Sequence, residues 1–176
     1  LGIALAIALA ALGPSTTELQ PTTVQSNAEV FFVVDRTGSM AAEDWNGDLP
    51  RLDGVRHDLP AIVAAFPGAR FSIIAWDSQA TRQLPLTTDA RAVTSWAATV
   101  RQELTSFSTG SQLDRPLDAL TEALAGAAER NPSNVRLVYF LSDGENTDGD
   151  DSSAGAQLRS YAGLAPLVDG GGVLGY

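Results

Sequence analysis

The chain has 176 residues, no cysteine, and 21 acidic side chains against 11 basic ones, for a formal charge of −10. Its length and 44% apolar content suit one domain with a short appendage rather than two full domains. The acidic balance repels phosphate backbones with no basic, aromatic-interleaved cluster to offset it, which sets nucleic-acid binding aside. The lack of cysteine removes disulfides, thiolate zinc sites and cysteine nucleophiles.

Residues 1–12, LGIALAIALAAL, carry no charged or polar side chain. As a helix rising about 1.5 Å per residue they reach roughly 18 Å, short of a hydrocarbon core of ~30 Å. Two readings stand: the end of a transmembrane helix that begins upstream, which ranks first, or the apolar core of a secretory signal. Residues 13–28 are rich in Ser, Thr and Pro without hydrophobic period and read as a linker. The first basic residue is Arg36, so the apolar segment lacks the Lys/Arg flank of a cytoplasmic boundary. The globular part, residues 29–176, is therefore expected to be membrane-anchored and extracytoplasmic, with secretion as the alternative.

Residues 29–34, Glu29 followed by the continuous apolar run Val30 to Val34, are of strand length, as in a strand buried on both faces. Residues 51–65 place Val55, Leu59, Ile62 and Val63 at helical spacing, with Pro60 expected to start or kink that helix. A strand over 70–76 and a second over 79–86 pair as a hairpin through Asp77 and Ser78. Asp89 caps a helix expected through Leu104, with Val93, Trp96 and Val100 on one face. Asp114 is expected to cap a helix from Pro116, striped by Leu117, Leu120, Leu124 and Ala128. Residues 135–141 are the second strongly apolar strand, a last helix is expected around 154–165, and a glycine turn at 170–172 leads to a final strand start at Val173 and Leu174. Strands separated by helices predict an α/β fold: a doubly wound, mainly parallel sheet with helices on both faces.

Three short segments sit where a parallel-sheet protein would place the carboxyl end of a strand: DRTGS at 35–39, TGS at 109–111 and SDG at 142–144. They offer small oxygen side chains rather than His or Cys, the donor set selected by a hard divalent cation such as Mg²⁺. Open parallel sheets bind ligands at that edge, near the switch in strand order. An isolated Asp after a strand is most often a helix cap. Two such residues, with a spaced Thr and Ser, make coincidence a poor explanation.

The segment FFVVDRTGSM, residues 31–40, resembles the first strand and metal loop of von Willebrand factor A domains, whose motif is Asp-X-Ser-X-Ser. Asp35, Thr37 and Ser39 take the three defining places, Thr keeping the hydroxyl of the middle Ser. LTTD at 86–89 resembles the segment after the family's antiparallel edge strand, and LVYFLSDGEN at 137–146 resembles its fourth strand and Thr-Asp-Gly-Glu turn. The resemblance implies a Rossmann-like fold and a metal-ion-dependent adhesion site with Asp35, Thr37, Ser39, Ser111 and Asp143 as its metal residues. Ser111 is placed by counting back from the following helix, with Thr109 as runner-up. Ser lacks the methyl that restricts the family's Thr at this place, which implies a less pre-organised site. The family fold has a further strand and helix, implied to follow Tyr176, so the chain reads as a C-terminally incomplete domain.

The resemblance implies a module that uses Mg²⁺, with Mn²⁺ or Ca²⁺ as substitutes, to recognise an Asp or Glu presented by a partner protein. Mostly neutral direct ligands leave the ion electrophilic enough to accept that carboxylate. Glu145, Asp148, Asp150 and Asp151 read as a solvated acidic loop beside Asp143. Two other classes stay open: a Mg²⁺-dependent hydrolase or phosphotransferase with Asp35 catalytic, or a scaffold subunit of a membrane complex. The enzyme reading lacks a general base beyond the metal carboxylates. His57, the single histidine, reads as a helix decoration, and no Gly-X-Ser-X-Gly elbow is present. Gly170, Gly172 and Gly175 match a dinucleotide fingerprint in letters only, because they follow a helix and enter a strand. Trp76 and Trp96 read as packing residues, and Trp45 is a candidate for the ligand rim.

Overall fold

The run expected over 29–34 is β1 (Ala28–Asp35), the central strand of a five-stranded sheet. The structure is a computed structural model that describes residues 26–104, 112–146 and 158–176. The apolar N-terminal segment, the linker as far as residue 25, and the second loop with Thr109 and Ser111 lie outside the described residues. Along β1 the side chains alternate between two cores: Val30, Phe32 and Val34 enter one, Phe31 and Val33 the other. All five are fully buried. A strand covered on both faces has no solvent side on which to place polar residues.

Around β1 the sheet runs β3-β2-β1-β4-β5, with β2 Arg70–Trp76, β3 Ala80–Thr87, β4 Val135–Ser142 and β5 Gly170–Gly175. Pairing is parallel for β1 with β2, β1 with β4, and β4 with β5; β3 alone is antiparallel, against β2. The fold is thus the expected doubly wound, mainly parallel sheet with one antiparallel edge strand. Helices α1 (Arg51–Ala65) and α2 (Ala90–Thr99) cover the Val30 face through Leu52, Val55, Leu59, Val63, Val93 and Ala97. Helix α3 (Leu117–Arg130) and a 3-10 helix (Tyr161–Leu167) cover the other through Leu117, Leu120, Leu124 and Leu164. Each fully buried Leu or Phe contributes about 1.5–3 kcal/mol by leaving water.

Several local expectations are corrected. Of the two roles expected of Pro60, starting or kinking the helix, the first is excluded, because Pro60 lies inside α1. Asp89 caps α2 as expected, its Oδ1 accepting from the amides of Arg91 (2.9 Å) and Ala92 (3.2 Å). The helix nonetheless stops at Thr99, well before Leu104. The backbone beyond it is drawn to other partners: the Val100 carbonyl accepts from Arg56 Nη2 at 2.6 Å, and the Glu103 amide donates to the Arg36 carbonyl at 2.7 Å. Asp114 does not cap α3 with its side chain. Its Oδ2 accepts from the amide and Nε of Arg159, and the helix opens at Leu117 with Pro116 before it. In α3 the buried stripe continues through Ala127 rather than Ala128.

The last helix is the 3-10 segment at Tyr161–Leu167, opened by Ser160 accepting from the Ala162 amide at 3.1 Å; residues 147–157 lie outside the described ones. The glycines at 170–172 are not a turn but the first half of β5. Gly171 has φ +146°, and a Cβ there would lie 1.8 Å from the Val138 carbonyl oxygen, so only glycine lets β5 lie this close to β4.

Candidate metal centre

Neighbours on either side of β1 are reached by chain connections running in opposite directions, which makes the carboxyl ends of β1 and β4 the switch point of the sheet. Asp35 is the last residue of β1, and Asp143 directly follows the last residue of β4. The sheet therefore delivers both carboxylates to one edge, as the sequence implied. After Asp35 the chain tightens into a 3-10 turn over Gly38–Ala41, which brings residues 37 and 39 back over the strand end.

Asp35 is fully buried and organises this loop. Its Oδ1 accepts from the Thr37 amide at 2.9 Å and from Thr37 Oγ1 at 2.6 Å; its Oδ2 accepts from Ser142 Oγ at 2.7 Å. Thr37 Oγ1 and Ser39 Oγ lie 3.1 Å apart. Since the one Thr37 hydroxyl proton goes to Asp35, Ser39 is the donor in that contact. Ser142 Oγ in turn accepts from the Gly144 amide at 3.0 Å. The hydroxyl protons thus run inward toward Asp35, leaving lone pairs on Thr37 and Ser39 for an electrophile. Burial raises the Asp35 pKa, an effect the charge of Asp143 adds to and the hydrogen bonds from Thr37 and Ser142 oppose.

Asp143 is 1% exposed at its side chain and, among the described residues, has two protein donors: the Glu145 amide at 3.0 Å on Oδ1 and Arg51 Nη1 at 2.9 Å on Oδ2. Arg51, the first residue of α1, also donates through Nε and Nη2 to Asp44, both at 2.8 Å, and through Nη1 to Glu145 at 3.2 Å. These carboxylates raise its pKa further, Asp44 most. The same pairing lowers the pKa of Asp44.

On the far side, the Leu113 amide reaches Asn146 Oδ1 at 3.4 Å, and Tyr161 Oη donates to the Leu113 carbonyl at 2.7 Å. The residue two after Ser111 is therefore fastened to the loop that follows Asp143. A cavity of about 430 Å³ lined by Leu113, Phe140, Asp143 and Tyr161 lies alongside.

Of the five metal candidates, the structure brings together Asp35, Thr37 and Ser39 and places Asp143 one residue beyond Ser142, which hydrogen-bonds Asp35. Ser111, like its alternative Thr109, lies outside the described residues. Two contributors escaped the sequence reading. Ser142 was visible only as the residue before Asp143. Arg51 had one local signal, a cation in the first turn of a helix, where the helix dipole disfavours it.

Among the described residues no group of three or more His, Cys, Asp or Glu is arranged to hold a metal ion. An ion here would rest on hydroxyls with two carboxylates behind them. That donor chemistry fits a hard, oxygen-seeking divalent cation, and the buried, like-charged Asp35 and Asp143 are better satisfied by a cation than by each other. His57 pairs with Asp58 at 2.8 Å and packs on Trp45 with ring centres 5.9 Å apart, and Trp76 is buried in the core.

Residues 30–145, well over half of the chain, match the von Willebrand factor type A domain. The chain belongs to that family. No curated protein matches it. Among solved structures, the von Willebrand factor A fold recurs in the conserved hypothetical protein BatB of Bacteroides thetaiotaomicron, 22% identical with a TM-score of 0.64, covering 84% of this chain and 66% of that one. An aerotolerance-related membrane protein of Bacteroides fragilis is 21% identical with a TM-score of 0.52, covering 84% of this chain and 67% of that one. The von Willebrand factor domain of the type V pili tip protein Mfa5 of Porphyromonas gingivalis is 17% identical with a TM-score of 0.53, covering 69% of this chain and 39% of that one. Such identities carry the fold alone, and this chain spans 66% of the BatB structure's length.

Proposed function

We propose that this von Willebrand factor A domain is a divalent-metal-dependent protein-interaction module of the adhesion type, whose ion recognises an Asp or Glu of a partner protein. The supporting observation is the inward-directed hydroxyl network: Ser39 to Thr37 to Asp35, met from the neighbouring strand by Ser142. Thr37 and Ser39 would hold Mg²⁺ through oxygen lone pairs, with Ser111 from the second loop, while Asp35 and Asp143 supply the balancing charge. Bound there, the ion supplies a Lewis-acidic position for an external carboxylate. Asp35 fixes the hydroxyl orientations, and Ser142 keeps the β1 and β4 ends in register. The hydrolase alternative draws no support from His57, which is engaged by Asp58 and Trp45.

The reading includes an extracytoplasmic setting, tethered by the apolar segment at residues 1–12. It is supported by the absence of basic residues before Arg36 and by neighbours described as a membrane protein and a pilus tip protein. Among the described residues no helix is long and apolar enough to cross a membrane.

Calorimetric titration of Mg²⁺ into the chain tests the centre. The expected result is micromolar-to-millimolar binding that Asp35→Ala abolishes and Ser111→Ala weakens. Equal affinity in all three proteins would reject the assignment.

A further inference from the structure

Arg51 is a cation placed where the helix dipole opposes it, at the first residue of α1. Among the described residues three carboxylates hold it there, and they differ in exposure. Asp44 and Glu145 are 57% and 45% exposed at their side chains, whereas Asp143 is 1% exposed, and Arg51 itself is 16% exposed. The pair with Asp143 is thus the one shielded from solvent, where attraction and repulsion between charges are least screened. The guanidinium is held by its Nε–Nη2 edge in a two-pronged contact with Asp44, while Nη1 extends to Asp143 and Glu145. Asp44 fixes the position of the group, and Nη1 bears on the metal centre.

We propose that Arg51 is a built-in competitor for the divalent ion at Asp143, setting the affinity of the centre. This rests on the metal reading of the site given above. A guanidinium and a dication that draw on one buried carboxylate repel each other, and Asp143 cannot serve both fully. Glu145 gives Nη1 a second acceptor when Asp143 turns toward the ion, so Arg51 can yield without losing Asp44. The arrangement holds metal affinity below what the hydroxyls and carboxylates would otherwise reach. It also ties loading of the ion to the segment from Asp44 to Arg51, whose Trp45 and Leu49 are paired backbone to backbone at 3.0 and 3.2 Å.

The test is Mg²⁺ titration by calorimetry of the wild type, of two neutral variants of different shape, Arg51→Gln and Arg51→Met, and of the charge-retaining Arg51→Lys, each checked for folding by thermal melting. Either neutral variant should bind Mg²⁺ at least about fivefold more tightly than the wild type, and Arg51→Lys should stay within about twofold of it. Wild-type binding with unchanged or weaker binding in a folded neutral variant overturns the competition while leaving the metal site intact. It would make Arg51 a positioning residue for Asp143. If none of the folded proteins binds Mg²⁺ or Mn²⁺, the metal reading falls and the inference falls with it.

Discussion

Ser142 Oγ donates to Asp35 Oδ2 across 2.7 Å, joining the carboxyl ends of two neighbouring parallel strands through one buried hydrogen bond. Replacing Ser142 by Ala leaves Asp35 Oδ2 buried without that donor and should cost about 1–3 kcal/mol. Urea unfolding in chelator reads this loss directly. Ser142→Thr, which keeps the hydroxyl, should recover most of it, and two equally stable substitutions would mean the bond is not what holds the strand ends.

The pH dependence of stability in chelator should carry the signature of Asp35. Burial pushes its carboxyl above the ordinary value of 3.8, so the folded chain binds that proton more tightly than the unfolded chain does. Its contribution is therefore full below pH 3.8 and is lost as pH rises through the raised value. Asp35→Asn, which cannot ionise, should gain stability relative to the wild type across that window. A difference between the two that does not change with pH would contradict the assignment.

At the opposite end of β1, Glu29 is fully buried, and its Oε1 accepts from Arg70 and, at 3.0 Å, from Asn134 Nδ2. Arg70→Met removes the counter-charge and leaves a buried carboxylate, a loss of about 3–5 kcal/mol. Adding Glu29→Gln should restore a large part of it. Thermal melts of the two single variants and the double variant give the coupling, and simple additivity would exclude the pair as a buried unit.

Gly171→Ala should loosen the β4–β5 edge, because the added methyl meets the Val138 backbone rather than a movable side chain, at a positive φ that L-residues avoid. The expected result is faster amide exchange in β5, with little change in β1 and β2. Protection that is unaltered in β5 would mean the strand accommodates the methyl.

Much of the fold was legible because β1 and β4 are long apolar runs ending in Asp35 or just before Asp143, so strand, direction and carboxylate placement came together. What escaped the sequence depended on distant partners. The early stop of α2 follows from Arg36 and Arg56 taking the backbone beyond Thr99, and the loss of Asp114 as a cap follows from Arg159, 45 residues on. Gly170 to Gly172 read as a turn because glycine signals one locally, yet the close approach of Val138 makes them a strand. Arg51 was hidden for the same reason: its contact with Asp143 spans 92 positions, and no periodicity encodes it.

Asp35 and Ser142 are 107 residues apart in sequence. The junction they make cannot exist in any partial chain that lacks either β1 or β4, nor before the long crossover between them has been threaded and docked. Closing so long a loop makes this one of the slower steps available to a nascent polypeptide. The two strand ends therefore meet only in a fully matured fold, and whatever depends on both of them waits on that closure.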